Sequence, residues 1–549
     1  MTEDVSSIKY DLCVIGSGPA GIITALEYSR SNPQKQVLLL EYGFNNQGPK
    51  NDLDDSIVIT NPVNHHYPYE CTNKGLGGTS ATWGGRCVMY DEVDFAKRDA
   101  IGENCTWDKA LFEEVSRYID KTADYFECGK PVFDISAVDV GGKQRIAEGF
   151  IEGNITDSVI ERWSMPTRFG VRYANEIKAQ TNLTYIEGKE ARIFAEPNEH
   201  GQVSTLLIRD VRSGKTDTIE ANVFVLAAGA METTRILLRN LQLFKLLDGP
   251  PNALGKFYQN HVSGKIASIK FYGDPQKTDY GFHRDTDGSY VRRRFQFNSE
   301  FLIKNNLLNT ALWLDNPLYY NPEHGSGPMS FMYMAMITPV IGKKLAPPAI
   351  AHSVTNGKVF GVGKHLWNIL KGLPGSILTP ASIFYRRYCL KRKLPGIFLY
   401  NPENRYALHF HAEQIPIETN RLELSADGEQ LIVHYDLTDV DIKSVISLHE
   451  ELDKWLRKCN CGELEYWYPK AERKKMIRQI SQDGVHQLGT TRIADSPDKG
   501  VVDRDTKLWG TSNVYICSSS VFPTSGQANP TFFLGAFAVR LADHLSKSG

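Results

Sequence analysis

The first unit of the chain is decided by the stretch Tyr10-Asp11-Leu12-Cys13-Val14-Ile15, which runs directly into Gly16-Ser17-Gly18-Pro19-Ala20-Gly21. The first six residues are mostly apolar, which predicts a strand buried on both faces of a parallel sheet. The glycine run opens a helical pattern, and a second apolar strand, Val37-Leu38-Leu39-Leu40, ends in Glu41. Strand, tight turn, helix, strand and acid in this order predict a unit that binds an adenine dinucleotide.

Each small residue of this turn has a physical task. Gly16 permits the turn, Gly18 lets the backbone approach a pyrophosphate, and Gly21 lets helix and strand pack closely. The N-terminus of the helix faces the phosphates with unsatisfied N–H groups. Glu41 is placed to accept hydrogen bonds from a ribose 2′-OH, and its charge would repel a 2′-phosphate, which disfavours NADP. The fingerprint alone leaves NAD and FAD open.

Composition narrows the class of protein. The chain has 549 residues, 41% hydrophobic and 23% charged, so it can fill a sizeable core in two or more modules. Sixty-two basic residues against 64 acidic ones give a net charge of −2, which predicts no attraction to nucleic acid. The acidic start of the sequence predicts that there is no secretory signal. Because no run of ~18 apolar residues occurs, we also predict no membrane-spanning helix. Nine scattered cysteines predict free thiols. We therefore expect a cytoplasmic enzyme.

A second glycine cluster lies between residues 74 and 86, with the sequence Lys-Gly-Leu-Gly-Gly-Thr-Ser-Ala-Thr-Trp-Gly-Gly-Arg. Glycine costs backbone entropy, and one reason to keep five of them is close approach to a flat, rigid ligand. A plain loop is the alternative. Further motifs follow near the C-terminus: His486-Gln487-Leu488-Gly489-Thr490, Ser518-Ser519-Ser520-Val521-Phe522-Pro523 and Gln527-Ala528-Asn529-Pro530-Thr531.

This order of motifs resembles the glucose–methanol–choline (GMC) oxidoreductase family. The resemblance also includes Val223-Phe224-Val225-Leu226 leading into Ala227-Ala228-Gly229-Ala230, and the pair Asn260-His261. Ser518 stands where many members carry Asp, a variant nearest the bacterial sugar and glucoside dehydrogenase and pyranose oxidase-like branch. The resemblance implies an enzyme that binds FAD and oxidises an alcohol or sugar CH–OH group to a carbonyl.

The resemblance also implies the fold and the cofactor contacts. The fold class is α/β: an FAD-binding Rossmann-like domain, doubly wound and of glutathione-reductase type, plus a substrate domain with a mainly antiparallel sheet backed by helices. No histidine lies in Ser80-Ala81-Thr82-Trp83, where some members tether the flavin, so we expect non-covalent FAD. The implied cofactor-binding residues are Gly16, Gly18, Ala20, Gly21, Glu41, Gly78, Thr79, Ser80, Trp83, Ala191, Ser519 and Thr531.

Two side chains match the family's catalytic positions. His486 is the expected base, since a neutral imidazole titrates near working pH. Asn529 is expected to hold the substrate oxygen through its NH₂ group, although it also suits the N-cap of a buried helix from Pro530. That helix would direct its positive end toward the reduced flavin. His409 and His411 share one strand face, but no nearby Cys, Asp or third His completes a metal site, so we predict none.

The domain prediction is discontinuous. Residues 1–100, 180–265 and 480–549 are assigned to the FAD-binding domain, and residues 101–179 and 266–479 to the substrate-binding domain. A helix with a regular apolar face is predicted over Asp439–Lys458.

One segment is not explained by the resemblance. Residues 324–402 contain no Asp or Glu but ten Lys and Arg, interleaved with apolar and aromatic residues. Pro380 is expected to open a short amphipathic helix carrying Arg386, Arg387, Lys391 and Arg392. The segment fits either a solvated basic face on an insertion or a peripheral contact with an anionic membrane at the inner face, giving access to a quinone or lipid-linked substrate.

Several functions stay open at this point. The leading prediction is an FAD-dependent alcohol or sugar dehydrogenase whose electron acceptor is a quinone, a carrier protein or O₂. An oxidase that uses O₂ on the same substrates is the near alternative. A non-redox flavin lyase of the same fold and a flavin-bearing scaffold protein are the others.

Overall fold

The computed structural model describes residues 8–44, 56–164, 167–338 and 359–548. Its α-helices are Pro19–Ser31, Pro68–Cys71, Lys109–Ser116, Ile119–Phe126, Phe169–Ala179, Gly229–Leu238, Ser299–Lys304, Gly327–Ile337, Val362–Lys371, Gly375–Phe384, Asp439–Lys458, Arg473–Ile480 and Pro530–Ser548. Its strands are β1 Lys9–Ile15, β2 Val37–Leu40, β3 Ile57–Ile59, β4 Arg86–Cys87, β5 Ile155–Thr156, β6 Ile160–Trp163, β7 Leu183–Ile186, β8 Lys189–Phe194, β9 Thr205–Asp210, β10 Thr216–Leu226, β11 His261–Phe271, β12 His283–Arg284, β13 Tyr290–Arg293, β14 Phe295–Phe297, β15 Thr310–Asp315, β16 Arg405–Glu413, β17 Arg421–Leu424, β18 Leu431–His434, β19 Gly462–Tyr466 and β20 Val514–Ile516.

The first sheet is built around β1. Parallel strands run in the order β7-β2-β1-β10, and β10 also pairs in parallel with β20 through Phe224–Leu226. The first half of β10 pairs with β9, which continues antiparallel into β8. Helices Pro19–Ser31 and Pro530–Ser548 bury apolar residues together against this sheet. The strand, glycine turn, helix and strand predicted at the N-terminus are therefore confirmed.

The second sheet is antiparallel throughout. Its strand order is β19-β11-β16-β15-β14-β5, and helices Asp439–Lys458 and Arg473–Ile480 pack beside it. The helix over Asp439–Lys458 has the predicted bounds, because Thr438 and Asp441 form a capping box and Leu452 and Leu456 face the sheet core. The predicted α/β fold class, with a mainly antiparallel sheet backed by helices, is confirmed. The domain boundaries themselves stay a prediction.

The acid-free segment differs from its predicted structure. Residues 339–358 lie outside the described residues. The expectation that Pro380 opens a helix is wrong, because Pro374 and Gly375 begin that helix earlier and Pro380 lies buried inside it. Proline removes one helical hydrogen bond, and this helix buries the side chains of Pro380 and Ile383 where that bond is lost. Of the predicted cations, Arg386 and Arg387 occupy the following π-helical turn.

A buried ion pair attaches the loop that follows β4 to the second sheet. The Arg98 guanidinium donates to both carboxylate oxygens of Glu413, at the end of β16, over 2.8 and 2.7 Å. Glu413 also accepts the backbone N–H of Asn309 at 2.8 Å. Arg98 and Glu413 are both almost fully buried. Charges buried this deeply depend on their partner, since an unpaired charge in the interior is costly.

We expect Arg98→Ala to lower the free energy of unfolding by about 3–5 kcal/mol, because it leaves the Glu413 charge buried without its partner. The neighbouring Lys97 forms an exposed ion pair with Glu103, and Lys97→Ala should change stability by less than about 1 kcal/mol. Denaturant unfolding of the three proteins measures both effects. Equal destabilisation by the two substitutions would contradict this account of the buried pair.

Candidate active site

The two glycine loops form one surface. The N–H of Gly77 donates to the carbonyl of Ser17 at 2.8 Å. A Cβ added at Gly78 would lie 3.1 Å from the Cα of Gly18. The second loop, predicted only as a ligand loop or a plain loop, therefore packs directly on the dinucleotide fingerprint.

The fingerprint leaves room for a pyrophosphate at Gly18. A Cβ at Gly16 would lie 2.5 Å from the carbonyl oxygen of Ala227, and a Cβ at Gly21 would lie 1.9 Å from that of Gly16. A Cβ at Gly18, in contrast, would have no neighbour within 4 Å. Gly18 is the N-cap of helix Pro19–Ser31, and no side chain caps that helix end. Open space beside free helix N–H groups is what a dinucleotide phosphate requires, so these residues fit FAD.

Glu41 connects the two loops through its carboxylate. One oxygen accepts the backbone N–H and the hydroxyl of Ser17, at 2.9 and 2.7 Å. The other accepts the N–H groups of Gly43 and Gly75, at 2.8 and 2.9 Å. A carboxylate offers about four acceptor sites, so a ribose hydroxyl would have to replace one of these donors. The role of Glu41 toward ribose stays a prediction.

Two predicted cofactor residues in the second loop have polar partners within the chain. The Ser80 hydroxyl donates to the carbonyl of Gly77 at 2.6 Å and accepts the N–H of Phe169 at 3.1 Å. The Trp83 indole donates to the carbonyl of Thr167 at 2.8 Å. These contacts hold the loop in place, while Thr79 occupies the 3₁₀ turn Gly78–Ala81.

The remaining predicted cofactor residues lie elsewhere around the first sheet. Ala20 is buried in the first turn of helix Pro19–Ser31. Ala191 lies in β8, whose first N–H donates to the carbonyl of Glu41 at 2.9 Å. The Ser519 hydroxyl donates to the carbonyl of Gln487 at 2.6 Å, and Thr531 is the second residue of the C-terminal helix. Their contact with a cofactor stays a prediction.

His486 and Asn529 meet in the fold, although 43 residues separate them. The Nδ2 atom of Asn529 lies 2.7 Å from the Nε2 atom of His486. Asn529 directly precedes helix Pro530–Ser548, and 15% of the His486 side chain is exposed. The two predicted catalytic side chains are therefore hydrogen-bonded to each other, with the imidazole still accessible.

Asp483 fixes the orientation of His486. Its Oδ2 atom lies 3.0 Å from the His486 Nδ1 atom, and the backbone N–H of His261 donates to the same oxygen at 3.3 Å. Burial alone would raise the pKa of this carboxyl, but the imidazoles of His486 and His261 outweigh burial and hold the pKa well below its usual range. An ionised Asp483 keeps the proton on Nδ1 and leaves the Nε2 lone pair facing Asn529.

Two more histidines surround this pair. The rings of His261 and His411 stack with centroids 4.0 Å apart, and each meets the His486 ring edge-on, at 4.9 and 5.3 Å. Burial, with neighbouring imidazoles, lowers the pKa of both His261 and His411, so both are neutral near pH 7. His411 Nδ1 donates to the carbonyl of Gln527 at 2.9 Å.

The surroundings of His411 bear on one sequence expectation. Ligand atoms of His261, His411, Asp483 and His486 all lie within 4.8 Å of one another. Residues distant in sequence therefore bring an Asp and two further His beside His411. His409 is not part of this group: it stacks on Trp313 and contacts the Ser263 hydroxyl at 2.9 Å. The absence of a metal site at the His409–His411 pair stays a prediction.

Sequence reasoning missed Asp483 and underrated His261 and His411. Asp483 lies three residues before His486, and Asp-x-x-His at such spacing was the available signal. His261 and His411 come from the adjacent strands β11 and β16, whose register places His261 opposite Glu413 and His411 opposite Ser263. Only the pairing of those strands shows that both face His486.

Comparison with known proteins identifies the class. The model of the GMC oxidoreductase family matches residues 416–538, which include Asp483, His486 and Asn529. The chain is also 34% identical to a 2-methyl-1,2-propanediol dehydrogenase of Mycolicibacterium austroafricanum, across 99% of this chain and 96% of that protein. The chain therefore belongs to the GMC oxidoreductase family, as its motifs predicted.

Individual relatives extend this result. A 6‴-hydroxyparomomycin C oxidase of Streptomyces lividus is 20% identical across 98% of this chain and 92% of that protein. Among solved structures, a fungal aryl-alcohol oxidase matches with a TM-score of 0.54 and 14% identity, over 98% of this chain and 99% of that one. A formate oxidase of Aspergillus oryzae matches with a TM-score of 0.55 and 14% identity, over 99% of both chains. At that identity the structures support the fold alone.

We expect Asp483→Asn to slow substrate oxidation by about 10²–10⁴-fold, because an amide no longer holds the His486 proton on Nδ1. Single-turnover kinetics measures the rate, and absorbance of the purified protein checks that cofactor binding persists. Asp439→Asn, at an exposed carboxylate, is the control and should leave the rate unchanged. Undiminished turnover in Asp483→Asn would show that His486 needs no such partner.

Proposed function

We propose that the protein is an FAD-dependent oxidoreductase that oxidises a CH–OH group of a sugar, glycoside or related polyol to a carbonyl, with His486 as the base. The observation that supports this most directly is the Asp483–His486–Asn529 series of hydrogen bonds. FAD, when bound, supplies the acceptor for the hydride. The residues that would hold it are those of the two glycine loops, beginning with Gly18 and Gly78.

The proton step belongs to the protein. A substrate hydroxyl that displaces the direct hydrogen bond between Asn529 and His486 would give its proton to His486 Nε2, while Asn529 Nδ2 donates a hydrogen bond to the substrate oxygen. Asn529 suits this task because its amide nitrogen donates without competing for the proton. Asp483 stabilises the imidazolium that forms, as the carboxylate of an acid–base dyad does. His261 and His411 add no opposing charge, since both are neutral.

The substrate class follows from two lines of support. Ser518 is the variant that resembles the sugar and glucoside branch of the family, and here its hydroxyl caps the turn Ser519–Val521. The relatives are a dehydrogenase of a propanediol and an oxidase of an aminoglycoside, by their names. Both substrates carry several hydroxyl or amino groups. These names and the Ser518 variant together support a polyol or a glycoside as the substrate class.

The cofactor is proposed to be non-covalent, and the electron acceptor to be a quinone, a carrier protein or O₂. No histidine lies within residues 80–83, and the polar atoms of Ser80 and Trp83 are used by the chain itself. The oxidase alternative would use the same residues, so O₂ consumption during turnover separates it from the dehydrogenase. A flavin whose absorbance never changes during turnover would favour the lyase.

We expect His486→Ala to slow flavin reduction by about 10²–10⁴-fold while the protein stays yellow, because the base is lost and the cofactor contacts are not. Anaerobic stopped-flow absorbance near 450 nm measures this. His200→Ala, at an exposed imidazole, is the matched control and should reduce flavin at the wild-type rate. Loss of colour in His486→Ala would instead make this residue a cofactor or folding residue, and unchanged reduction would remove His486 as the base. A wild-type flavin that no alcohol reduces would favour the scaffold alternative.

The substrate and the cofactor linkage are tested together on the wild-type protein. Among vicinal diols, glycosides and aryl alcohols screened anaerobically, we expect polyols or glycosides to bleach the flavin fastest. Acid precipitation should then leave the yellow colour in the supernatant, because no covalent bond holds it. Colour retained in the protein pellet would contradict the non-covalent assignment.

A further inference from the structure

An unusual share of the exposed apolar surface is concentrated in one segment. Among the described residues, 26 large apolar side chains are exposed, and eleven of them lie within residues 359–388. We call these eleven the apolar face. They are Val359, Phe360, Leu366, Trp367, Leu370, Leu373, Ile377, Leu378, Phe384, Tyr385 and Tyr388.

The first helix of this segment is inverted with respect to an ordinary surface helix. Helix Val362–Lys371 buries two polar side chains, His365 at 0% and Asn368 at 6% exposure. His365 Nδ1 lies 2.9 Å from the Ser330 hydroxyl, and the Asn368 amide donates to the carbonyl of Pro322 at 2.8 Å. On the outside, Trp367 and Leu370 are 63% and 62% exposed. The helix therefore attaches to the protein by hydrogen bonds and turns its apolar side outward.

The second helix repeats part of this arrangement, although it also buries Pro380 and Ile383. Helix Gly375–Phe384 buries Ser376, whose hydroxyl donates to the carbonyl of Ile369 at 2.8 Å. Leu378, two residues further, is 62% exposed. Apolar side chains that face water cost free energy, and the polar contacts of such a helix do not remove that cost. Contiguous exposed apolar area of this kind marks interaction sites on proteins. The same pattern in two consecutive helices indicates one continuous contact surface.

Charge identifies the partner. Lys371 and Lys391 are exposed at or beside the apolar face, and residues 324–402 contain no Asp or Glu. Lys364 is also exposed, but it forms an ion pair with Glu323, which lies just before this segment. Trp and Tyr rings, aliphatic side chains and lysines without acids are the combination found at the headgroup level of anionic bilayers. Across the described ranges, no helix has the length and apolarity needed to cross a membrane. The contact would thus lie in the plane of the interface.

We propose that the apolar face docks the protein onto the surface of an anionic lipid bilayer, with its apolar and aromatic side chains inserted among the headgroups and with Lys371 and Lys391 beside the phosphates. The proposal concerns a surface separate from the His486 site and does not rest on the chemistry proposed there.

Vesicle flotation of the full chain tests the docking. With phosphatidylcholine vesicles containing phosphatidylglycerol we expect co-flotation, strongly reduced in high salt and in pure phosphatidylcholine. Trp367→Ser/Leu378→Ser should weaken partitioning at least about tenfold through lost apolar burial. Lys371→Gln/Lys391→Gln should weaken it about 20-fold through lost attraction to the anionic surface. Val171→Ser/Ile151→Ser, at exposed apolar residues elsewhere, is the matched control and should bind like wild type.

Cys389 supplies a second readout. It is exposed, whereas Cys459 is half-buried and the other seven cysteines are buried. In a Cys459→Ser background, an environment-sensitive fluorophore on Cys389 should shift its emission to the blue when anionic vesicles are added, and not with neutral ones. All of these variants should keep wild-type activity toward a water-soluble alcohol, because none lies at the His486 site.

Three results would overturn the proposal. One is failure of the wild-type chain to float with anionic vesicles. Another is binding by Trp367→Ser/Leu378→Ser equal to that of the wild type. The third is a lipid-independent dimer in light scattering that the same double substitution dissociates, which would assign the apolar face to a second copy of the chain.

Discussion

The carboxylate of Asp483 is the constraint around which the site is built. It lies fully buried between the His486 ring and the backbone of His261, and it stays ionised because imidazole protons and N–H groups surround it. A buried charge is tolerated only when its surroundings are fixed. The position of His486, the direction of its Nε2 lone pair and the contact with Asn529 therefore depend on Asp483. Strand β11 is fixed to the same carboxylate, because the Nδ1 atom of its His261 lies 3.6 Å from Asp483 Oδ2.

The two sheets contribute different parts of the same chemistry. The parallel sheet presents the glycine loops and the start of the last helix, where Asn529 lies. The antiparallel sheet supplies the neutral rings of His261 and His411 and, at the end of β16, the Glu413 carboxylate that pairs with Arg98. Asp483 and His486 follow helix Arg473–Ile480 and lie where the two parts meet. The relative position of His486 and Asn529 thus depends on how rigidly these two parts are joined.

Patterns within a short stretch of sequence predict those elements whose structure depends mainly on neighbouring residues. The glycine fingerprint, β2 and helix Asp439–Lys458 follow from apolar periodicity and capping residues, and each is predicted within a residue or so. His486 and Asn529 were found by resemblance to a family. The neighbours Asp483, His261 and His411 depend on strand pairing that no local pattern encodes. Helix Val362–Lys371 was missed because its apolar side faces outward, whereas periodicity assumes that apolar residues face a core.

The pairing of β10 has a consequence for how the protein is made. This central strand joins β1, about two hundred residues earlier, and β20, which begins at residue 514. At about 5–20 residues per second, a ribosome needs roughly 25–100 s between synthesis of β1 and of β20. Throughout that interval the nascent chain has its glycine turn but lacks both strand β20 and the helix that Asn529 precedes. Closure of the sheet is then a late event, and the edge of β10 at Phe224–Leu226 stays unpaired until β20 has been made.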